Sequence, residues 1–424
     1  MAFLRGAGWL SGGLAAVIHF TPAVTTRCLD GGPLLKNNPL VRRPAFIFLF
    51  LAVVLLSACG SRVANNNWPG MTSSGDTVYV SFGPGVVAFD IEQQEQSWYF
   101  SPDDGGPSLQ IFAPPSVVDG QIAFGDYGKS GGMISPNVTV TVYMLDEENP
   151  QNPTWTQSTV AQDRIVAQAL QIGDRLYIGT ADNFLVALDV ENNGQPVWNE
   201  PFEAGHSIWG QTAYEDGVLY VPSLDKFVHA LDAETGEILW QADVGGSVSD
   251  KPILNGDLVY AGSFDKQLHA LYKTTGESRW TAPAEGSVWG APVVNGGSVY
   301  FVDLLGNAYA VDATTGEQFW QYATGGYVVA APVFHDGVVY VSSGGDPDLE
   351  AADRIGALIA IDANTGKELW RITDLDPIFT TPAIVGDAIV VATQSEEHPL
   401  TVTTIDTTEH DRTSTLFPEL PSTE

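Results

Sequence analysis

A repeat of about 40 residues runs through most of the chain and limits it to a small group of folds. Residues 230–240, 310–320 and 360–370 each read Ala-x-Asp-Ala-x-Thr-Gly-x-x-x-Trp. Trp198, Trp240, Trp280 and Trp320 follow one another at intervals of 42, 40 and 40 residues. Self-similarity at this period is typical of architectures in which each unit stacks on the next.

One unit contains the pattern of four short strands. In the copy that begins at Trp289, the apolar segments are residues 291–294, 298–302, 308–311 and 318–322. Asn295-Gly296-Gly297 separates the first two and is a strong hairpin signal. A four-stranded unit repeated every 40 residues indicates a β-propeller blade, which is stable only when neighbouring blades cover its two faces. We therefore predict an all-β propeller of antiparallel blades.

The residues of the repeated motif suit a tight turn followed by a contact between two sheets. Its Asp accepts hydrogen bonds from the backbone ahead of it, and its Gly allows the positive φ that a tight turn needs. The Trp that follows is large and apolar and carries a single donor, so it suits the space between two sheets. Weaker copies of the motif end at Trp98, Trp155 and Trp198, and the copy at Trp280 has Tyr272 in place of Asp.

The motif resembles the tryptophan-docking motif of quinoprotein (PQQ-like) propellers, whose known fold is an eight-bladed ring. The likeness covers residues 68 to about 406, with eight units, and we assign the propeller to residues 68–410. Residues 411–424 form a tail or a closing strand, because either 59–67 or 413–417 could complete the last blade. The resemblance implies that the tryptophans pack between blades, at Trp98, Trp155, Trp198, Trp240, Trp280, Trp320 and Trp370.

The N-terminal region has the pattern of a lipoprotein leader. Arg42 and Arg43 precede the apolar run 45–56, and Leu-Ser-Ala then leads to Cys59. A basic start, a short apolar segment and small residues before the cleavage site are typical of a secretory signal. The tetrapeptide Leu-Ser-Ala-Cys resembles a bacterial lipobox. We predict a signal peptide at 41–58, a lipidated Cys59 and a tether at 59–67. Residues 1–40 fit no export signal and we interpret them as an over-extended gene start.

Charge and cysteine content narrow the range of functions. The formal net charge is −33, which repels phosphate backbones, so nucleic acid is not expected as a partner. The two cysteines, Cys28 and Cys59, both lie in or beside the leader. The predicted propeller thus has no disulfide of its own, and export is inferred from the leader alone.

The quinoprotein resemblance divides into an enzymatic branch and a scaffold branch. The PQQ-dependent dehydrogenases use an adjacent Cys-Cys disulfide, a Ca²⁺ ion and a catalytic Asp, and this sequence has no Cys-Cys pair. The other branch comprises non-catalytic lipoproteins typified by BamB, of the outer-membrane β-barrel assembly machine. We therefore expect a scaffold without catalytic residues, metal or cofactor, which works as a monomer within a complex. It would be exported and anchored at the periplasmic side of the outer membrane or, in a one-membrane cell, outside the cytoplasmic membrane.

Candidate binding residues lie just before the first strand of several units. BamB-like proteins bind their barrel subunit through loops at one end of the ring, and Asp250 is the one reminiscent residue there. Aromatic side chains at similar points could instead form a funnel that binds a glycan or peptide, or could simply line the channel. These aromatic residues are Trp68, Trp209, Trp289, Tyr327 and Phe379.

Two further patterns suggest metal sites at first sight. His229 and His269 occupy equivalent positions one repeat apart, which we interpret as strand packing. The acidic segment 346–353 lacks the register of a calcium loop, so we interpret it as a solvated hairpin insertion.

Overall fold

The structure is a computed structural model, and it describes residues 69–102, 109–130, 138–349, 353–393, 400–409 and 412–416. All of them belong to one unit, Asn65–Glu424. Eight of its sheets have the connectivity of propeller blades, which confirms the predicted eight-bladed, all-β architecture. Within the described segments, no helix is long and apolar enough to span a membrane. The predicted leader, Cys59 and Trp68 lie outside the described residues.

The strands of the first four blades have the following bounds. Blade 1 contains β1 (Gly70–Ser74), β2 (Thr77–Phe82), β3 (Gly85–Asp90) and β4 (Glu95–Phe100). Blade 2 contains β5 (Ser116–Val118) and β6 (Gln121–Gly125), an inserted hairpin of β7 (Lys129–Ser130) and β8 (Val138–Thr139), then β9 (Val142–Asp146) and β10 (Trp155–Gln157). Blade 3 contains β11 (Leu170–Ile172), β12 (Arg175–Gly179), β13 (Phe184–Asp189) and a divided outer edge of β14 (Gln195–Pro196) and β15 (Phe202–Glu203). Blade 4 contains β16 (Ala213–Glu215), β17 (Val218–Pro222), β18 (Phe227–Asp232) and β19 (Ile238–Asp243).

The last four blades are more regular. Blade 5 contains β20 (Ile253–Asn255), β21 (Leu258–Ser263), β22 (Gln267–Tyr272) and β23 (Ser278–Pro283). Blade 6 contains β24 (Val293–Asn295), β25 (Ser298–Val302), β26 (Asn307–Asp312) and β27 (Gln318–Ala323). Blade 7 contains β28 (Val333–His335), β29 (Val338–Ser343), β30 (Gly356–Asp362) and β31 (Glu368–Leu375). Blade 8 contains β32 (Ala383–Val385), β33 (Ala388–Thr393), β34 (Thr401–Asp406) and β35 (Arg412–Leu416).

The core lies between the blades rather than within them. Eight clusters of buried apolar side chains are found, and each combines residues from two neighbouring blades. The cluster between blades 8 and 1 includes Val78, Phe89, Val390 and Val402, so side-chain packing closes the ring. Blade 8 takes its outer strand from Arg412–Leu416, which pairs with β34. Blades 1 and 8 thus each take their four strands in sequence order.

The repeated motif joins each blade to the next through its tryptophan. Trp280 is 9% exposed, and its Nε1–H donates to the carbonyl of Ala313 in blade 6 at 3.2 Å. Its ring covers Gly316, where a Cβ would lie 2.6 Å from the indole Cε3. Gly316 also has a φ of 74°, so two separate constraints require glycine there. The same hydrogen bond recurs at Trp155, Trp198, Trp240 and Trp320, which donate to the carbonyls of Val190, Ala233, Lys273 and Ala363.

The two remaining tryptophans of the motif also lie against a tyrosine of their own blade. Trp98 has its ring centroid 6.0 Å from that of Tyr79, and Trp370 lies 5.7 Å from Tyr340. At the first blade the hydroxyl of Tyr79 donates to Glu147, in the turn of blade 2 that lacks Thr-Gly. Blades 1 and 2 are thus joined by an additional side-chain contact at the turn that lacks Thr-Gly.

The Asp of the motif organises the turn as its chemistry predicts. Asp312 Oδ1 accepts hydrogen bonds from the backbone N–H groups of Thr314 and Thr315, both at 2.8 Å, and from the Thr315 hydroxyl. These donors, led by the Thr315 N–H, hold the pKa of Asp312 below its ordinary value. Asp232 and Asp362 accept equivalent bonds from Thr235 and Thr365. The turns at this end of the ring therefore have the same hydrogen bonds in blades 4, 6 and 7, because the repeat supplies the same Asp and Thr in each.

Candidate functional site

The opposite end of the ring is formed by the segments that join successive blades, and we call it the link face. It combines these links with the loops between the second and third strands of each blade. The described links are residues 101–102 with 109–115, then 158–169, 204–212, 244–252, 284–292, 324–332 and 376–382. The candidate partner or funnel residues within the described part of the chain all lie in these links: Trp209, Asp250, Trp289, Tyr327 and Phe379.

Each central link is hydrogen-bonded to the loops on both sides of it. Val288 N–H donates to the carbonyl of Ser263 in blade 5 at 3.1 Å, and the carbonyl of Ser287 accepts from Leu304 N–H in blade 6 at 2.9 Å. The Ser287 hydroxyl donates to the carbonyl of Phe264 at 3.2 Å. Ser207 and Ser247 make the equivalent hydroxyl bonds to Ala181 and Leu224. The link face of blades 3 to 6 is therefore a continuous hydrogen-bonded surface.

Buried ionisable pairs support the loops from below. In blade 4, His229 Nε2 lies 2.9 Å from Asp225 Oδ2, which also accepts the Gly205 N–H of the preceding link. Burial raises the pKa of Asp225, but the hydrogen bond from His229 and the backbone donors outweigh it, so the net shift is downward. His269 and Asp265 form the same pair in blade 5 at 3.0 Å.

Blade 6 achieves the same support with different residues. Asp303 is fully buried and accepts hydrogen bonds from the Tyr309 hydroxyl at 2.8 Å and from the Gly286 N–H of the link at 2.8 Å. The two histidines therefore act as supports of the loops in this geometry. Among the described residues, no three His, Cys, Asp or Glu side chains converge as a metal-binding group.

The predicted aromatic positions fall into two registers. Trp209, Trp289 and Phe379 each follow the Ile or Val whose N–H bonds to the preceding blade, so these three positions are equivalent. Tyr327 lies two positions earlier in its link, at the position equivalent to Ser287. The equivalence follows from the backbone: the Tyr327 carbonyl accepts from Gly344 N–H, just as the Ser287 carbonyl accepts from Leu304 N–H. The aromatics that the sequence places at similar points before the first strand thus occupy two different positions of the link.

The aromatic side chains form pairs rather than one platform. Trp289 lies with its ring centroid 5.3 Å from that of Phe264, and Phe379 lies 5.9 Å from Tyr327. Trp209 is 38% exposed and is the most open of them. Phe264 was missed in the sequence because it sits in the loop of the preceding blade, 25 residues from its partner, and only the register of the repeat could have indicated it.

Two arginines stack on tyrosines of the link face, one in blade 7 and one in the link between blades 2 and 3. The guanidinium of Arg354 lies 5.6 Å from the ring centroid of Tyr327, and that of Arg164 lies 4.7 Å from Tyr127. Tyr127 also contacts Phe112 at 4.6 Å, and Phe112 occupies the same link position as Trp289. These contacts hold the residues that follow the second strands of blades 2 and 7 against the ring.

Asp250 is committed to the architecture of its link. Its Oδ1 accepts the Lys251 N–H at 2.7 Å, and its Oδ2 accepts the Ala291 N–H of the next link at 2.9 Å. Burial raises the pKa of this carboxyl, against the effect of the two backbone donors. The carboxylate therefore joins blades 5 and 6, and its two oxygens already have partners in the isolated chain.

Comparisons with solved structures agree on the fold. The chain is similar to BamB from Moraxella catarrhalis, with a TM-score of 0.60 and 19% identity over 78% of this chain and 95% of that one. It is similar to the computationally designed protein Ika8, with a TM-score of 0.62 and 14% identity over 77% and 93% of the two chains. A europium-containing methanol dehydrogenase is similar with a TM-score of 0.58 and 15% identity over 74% and 79%. At these identities the likeness shows the fold alone.

A comparison with curated proteins gave no match. The model of one protein family, described as outer membrane protein assembly factor BamB, matches residues 189–288, 284–354 and 328–413. These overlapping matches run from the end of blade 3 into blade 8 and cover more than half of the 424 residues. The chain therefore belongs to the PQQ-like β-propeller family that this BamB model describes.

Proposed function

We propose that this protein is a non-catalytic, lipid-anchored scaffold of the cell envelope that takes part in outer-membrane protein assembly. The match of residues 189–413 to the BamB family model carries the proposal. The link face supports it, because its backbone is fixed by hydrogen bonds between blades while its exposed side chains differ from blade to blade. A rigid surface of this kind suits the docking of a partner protein without much loss of conformational entropy.

The anchor that we propose is Cys59, which follows Leu-Ser-Ala after an apolar run. A two-membrane cell would then hold the propeller on the periplasmic side of its outer membrane, and a one-membrane cell would hold it outside the cytoplasmic membrane. The proposed partners are envelope proteins, with a subunit of the outer-membrane β-barrel assembly machinery as the first choice. The absence of an adjacent Cys-Cys pair in the sequence supports a scaffold rather than a quinoprotein dehydrogenase.

The test is co-purification from the native envelope. The full chain would be tagged at its C-terminus, expressed at its natural level and purified in mild detergent beside the Cys59→Ala variant. We expect a β-barrel assembly subunit to co-purify with the parent in near-stoichiometric amount, and the variant to lose membrane association. Recovery of the parent protein alone, with partners no more abundant than in an untagged strain, would refute the scaffold function.

A second function is favoured by one observation. Trp209 exposes 38% of its surface on the link face, and the half-buried pair of Phe264 and Trp289 lies on the same face. Exposed aromatic faces are suited to stacking against sugar rings or peptide side chains. Titration of the purified protein with oligosaccharides and short peptides, followed by tryptophan fluorescence, tests this. A response that persists unchanged in Trp209→Ala would show that this residue is not the binding surface.

A further inference from the structure

The exposed large apolar side chains of the described residues fall into two groups. Four lie on outer strands, namely Ile238, Leu239, Phe319 and Leu369. The other four lie on the link face, and three of these belong to neighbouring blades 6 and 7: Leu305 is 64% exposed, Leu349 is 45% exposed and Ile355 is 58% exposed. Leu305 is in the loop after the second strand of blade 6, and Leu349 and Ile355 follow the second strand of blade 7.

Direct backbone contacts place these loops side by side. A Cβ on Gly306, next to Leu305, would lie 1.8 Å from the carbonyl oxygen of Gly326. A Cβ on Gly326 would lie 2.7 Å from the carbonyl oxygen of Gly345, and one on Gly345 would lie 2.6 Å from that of Ile355. Four backbone segments therefore touch in succession, with Leu305 beside one end of the row and Ile355 at the other.

The apolar residues are bordered by exposed carboxylates. Glu285, Asp346, Asp348 and Asp353 are all exposed around them. The nearest cations are engaged: Arg354 donates to the carbonyls of Leu349 and Pro347 and stacks on Tyr327, and Lys266 Nζ donates to the Glu285 carbonyl. We call this region the 6–7 surface, and it consists of Glu285, Leu305, Asp346, Asp348, Leu349, Asp353 and Ile355.

We propose that the 6–7 surface binds a basic segment of a partner protein that carries apolar side chains between its Lys or Arg residues. Burial of Leu305, Leu349 and Ile355 would supply the favourable apolar term, and the four carboxylates would select cationic side chains and increase the association rate. The proposal rests on the scaffold function above and names the chemistry of its partner.

Charge argues against the other possible occupants. A second copy of this chain carries the same net charge of −33 and would be repelled. Anionic lipid headgroups would be repelled by the same carboxylates. A basic segment is the occupant for which both the apolar and the charged residues of the surface are favourable.

The test is site-specific photo-crosslinking of the full chain in its native envelope. A photoreactive amino acid would replace Leu305 or Ile355, with Leu239 and Leu369 as matched controls because they are 53% and 52% exposed on outer strands. We expect protein adducts at the first two positions only, and mass spectrometry of the crosslinked peptide should show a net positive segment with apolar residues. Adducts with lipid, with a second copy of this chain or with an acidic segment would overturn the proposal.

A measurement with purified full-length protein provides a second, independent check. The probe is a fluorescent 12-residue peptide of alternating Lys and Leu, compared with a Lys/Ser and a Glu/Leu peptide of the same length. We expect Leu305→Ser with Ile355→Ser to weaken binding of the Lys/Leu peptide about tenfold, and Leu239→Ser with Leu369→Ser to leave it unchanged. No loss in either pair would mean general electrostatic attraction to an acidic protein, and an equal loss in both pairs would mean non-specific apolar binding. Either result would overturn the proposal.

The two proposals fail in different ways. A photoreactive amino acid at Trp209, elsewhere on the link face, separates them. Protein adducts at Trp209 without any at Leu305 or Ile355 would leave the scaffold function standing and reject the 6–7 surface. Absence of protein adducts at all three positions, together with no co-purifying partner, would reject the scaffold function itself.

Discussion

Replacement of Trp280 by alanine should be among the most destabilising single changes in the propeller. The indole is 9% exposed, donates to the Ala313 carbonyl at 3.2 Å and covers the backbone of Gly316. Truncation removes this contact between blades 5 and 6 and leaves a cavity that the rigid sheets cannot close. Large-to-small replacement of a buried Trp typically costs about 3–5 kcal/mol. For a cooperative unit of this size, that corresponds to a fall in melting temperature of about 4–7 °C.

A graded series separates the contribution of packing from that of the hydrogen bond. Trp280→Phe keeps most of the apolar contact and removes the N–H donor. The Ala313 carbonyl would still accept the Tyr260 hydroxyl at 2.8 Å, so the cost should be only about 1–2 kcal/mol. Trp209→Ala is the control, because that side chain is 38% exposed on the link face and its loss should cost under about 1 kcal/mol.

The assay is thermal unfolding of the purified full chain, followed by far-UV circular dichroism and by calorimetry at one scan rate. We expect Trp280→Ala to have a lower melting temperature than Trp280→Phe. We expect Trp280→Phe in turn to have a lower melting temperature than Trp209→Ala and the parent protein. If Trp280→Ala melts with the parent while its folded spectrum is unchanged, the docking tryptophans do not hold the blades together.

Three further outcomes follow from the same structure and sequence. Asp312→Asn should destabilise the protein by its full amount above about pH 5, and the difference should shrink as the pH falls below the ordinary Asp value of 3.8: a carboxyl with a lowered pKa stabilises the fold while ionised and loses that contribution as the pH falls through the folded value. Melting curves of both proteins between pH 3 and pH 7 measure this, and a constant difference across the range would contradict it. Mass spectrometry of the mature protein should find a lipid-modified Cys59 as the first residue, and a peptide from residues 1–40 would contradict the leader. Addition of PQQ and Ca²⁺ should give no dye reduction with alcohols or aldoses, and turnover above a no-protein control would move the function to the dehydrogenases.

The sequence was sufficient to predict the blades because the repeat encodes the contact between them locally. The Asp, the Gly and the Trp of one motif lie within eleven residues, so turn chemistry and docking can both be inferred from one short stretch. The closing strand Arg412–Leu416 could not be chosen in this way, since the unit that contains Asp406 has no Trp eight positions later. Its selection depends on pairing with β34, which only the assembled sheet decides.

The arrangement of the link face was much less predictable. The pair of Phe264 and Trp289 joins two different blades, and the support given by His229 in one blade is given by Tyr309 in another. Residue type alone placed Tyr327 with the tryptophans, whereas the prolines that precede the first strands of blades 6 and 7, Pro292 and Pro332, give the true register. Aromatic character identified the correct region of the chain, and backbone hydrogen bonds determined which residues are equivalent.

The side chains at the turn end of the ring are similar from blade to blade, whereas those on the link face differ. This difference indicates at which end a partner binds. At the turn end, the motif Asp is used by the turn and the motif Gly by the neighbouring tryptophan, so a change at either residue weakens the contact between blades. On the link face many of the connections are made by the backbone, and side chains at equivalent positions can differ, as Ser249, Trp289 and Phe379 do. Specific recognition of one partner by a ring of similar blades requires departures from the repeat. The 6–7 surface is an exposed departure of this kind, because blade 7 carries additional residues between its second and third strands. The partner contact is therefore expected there rather than at the regular turn end.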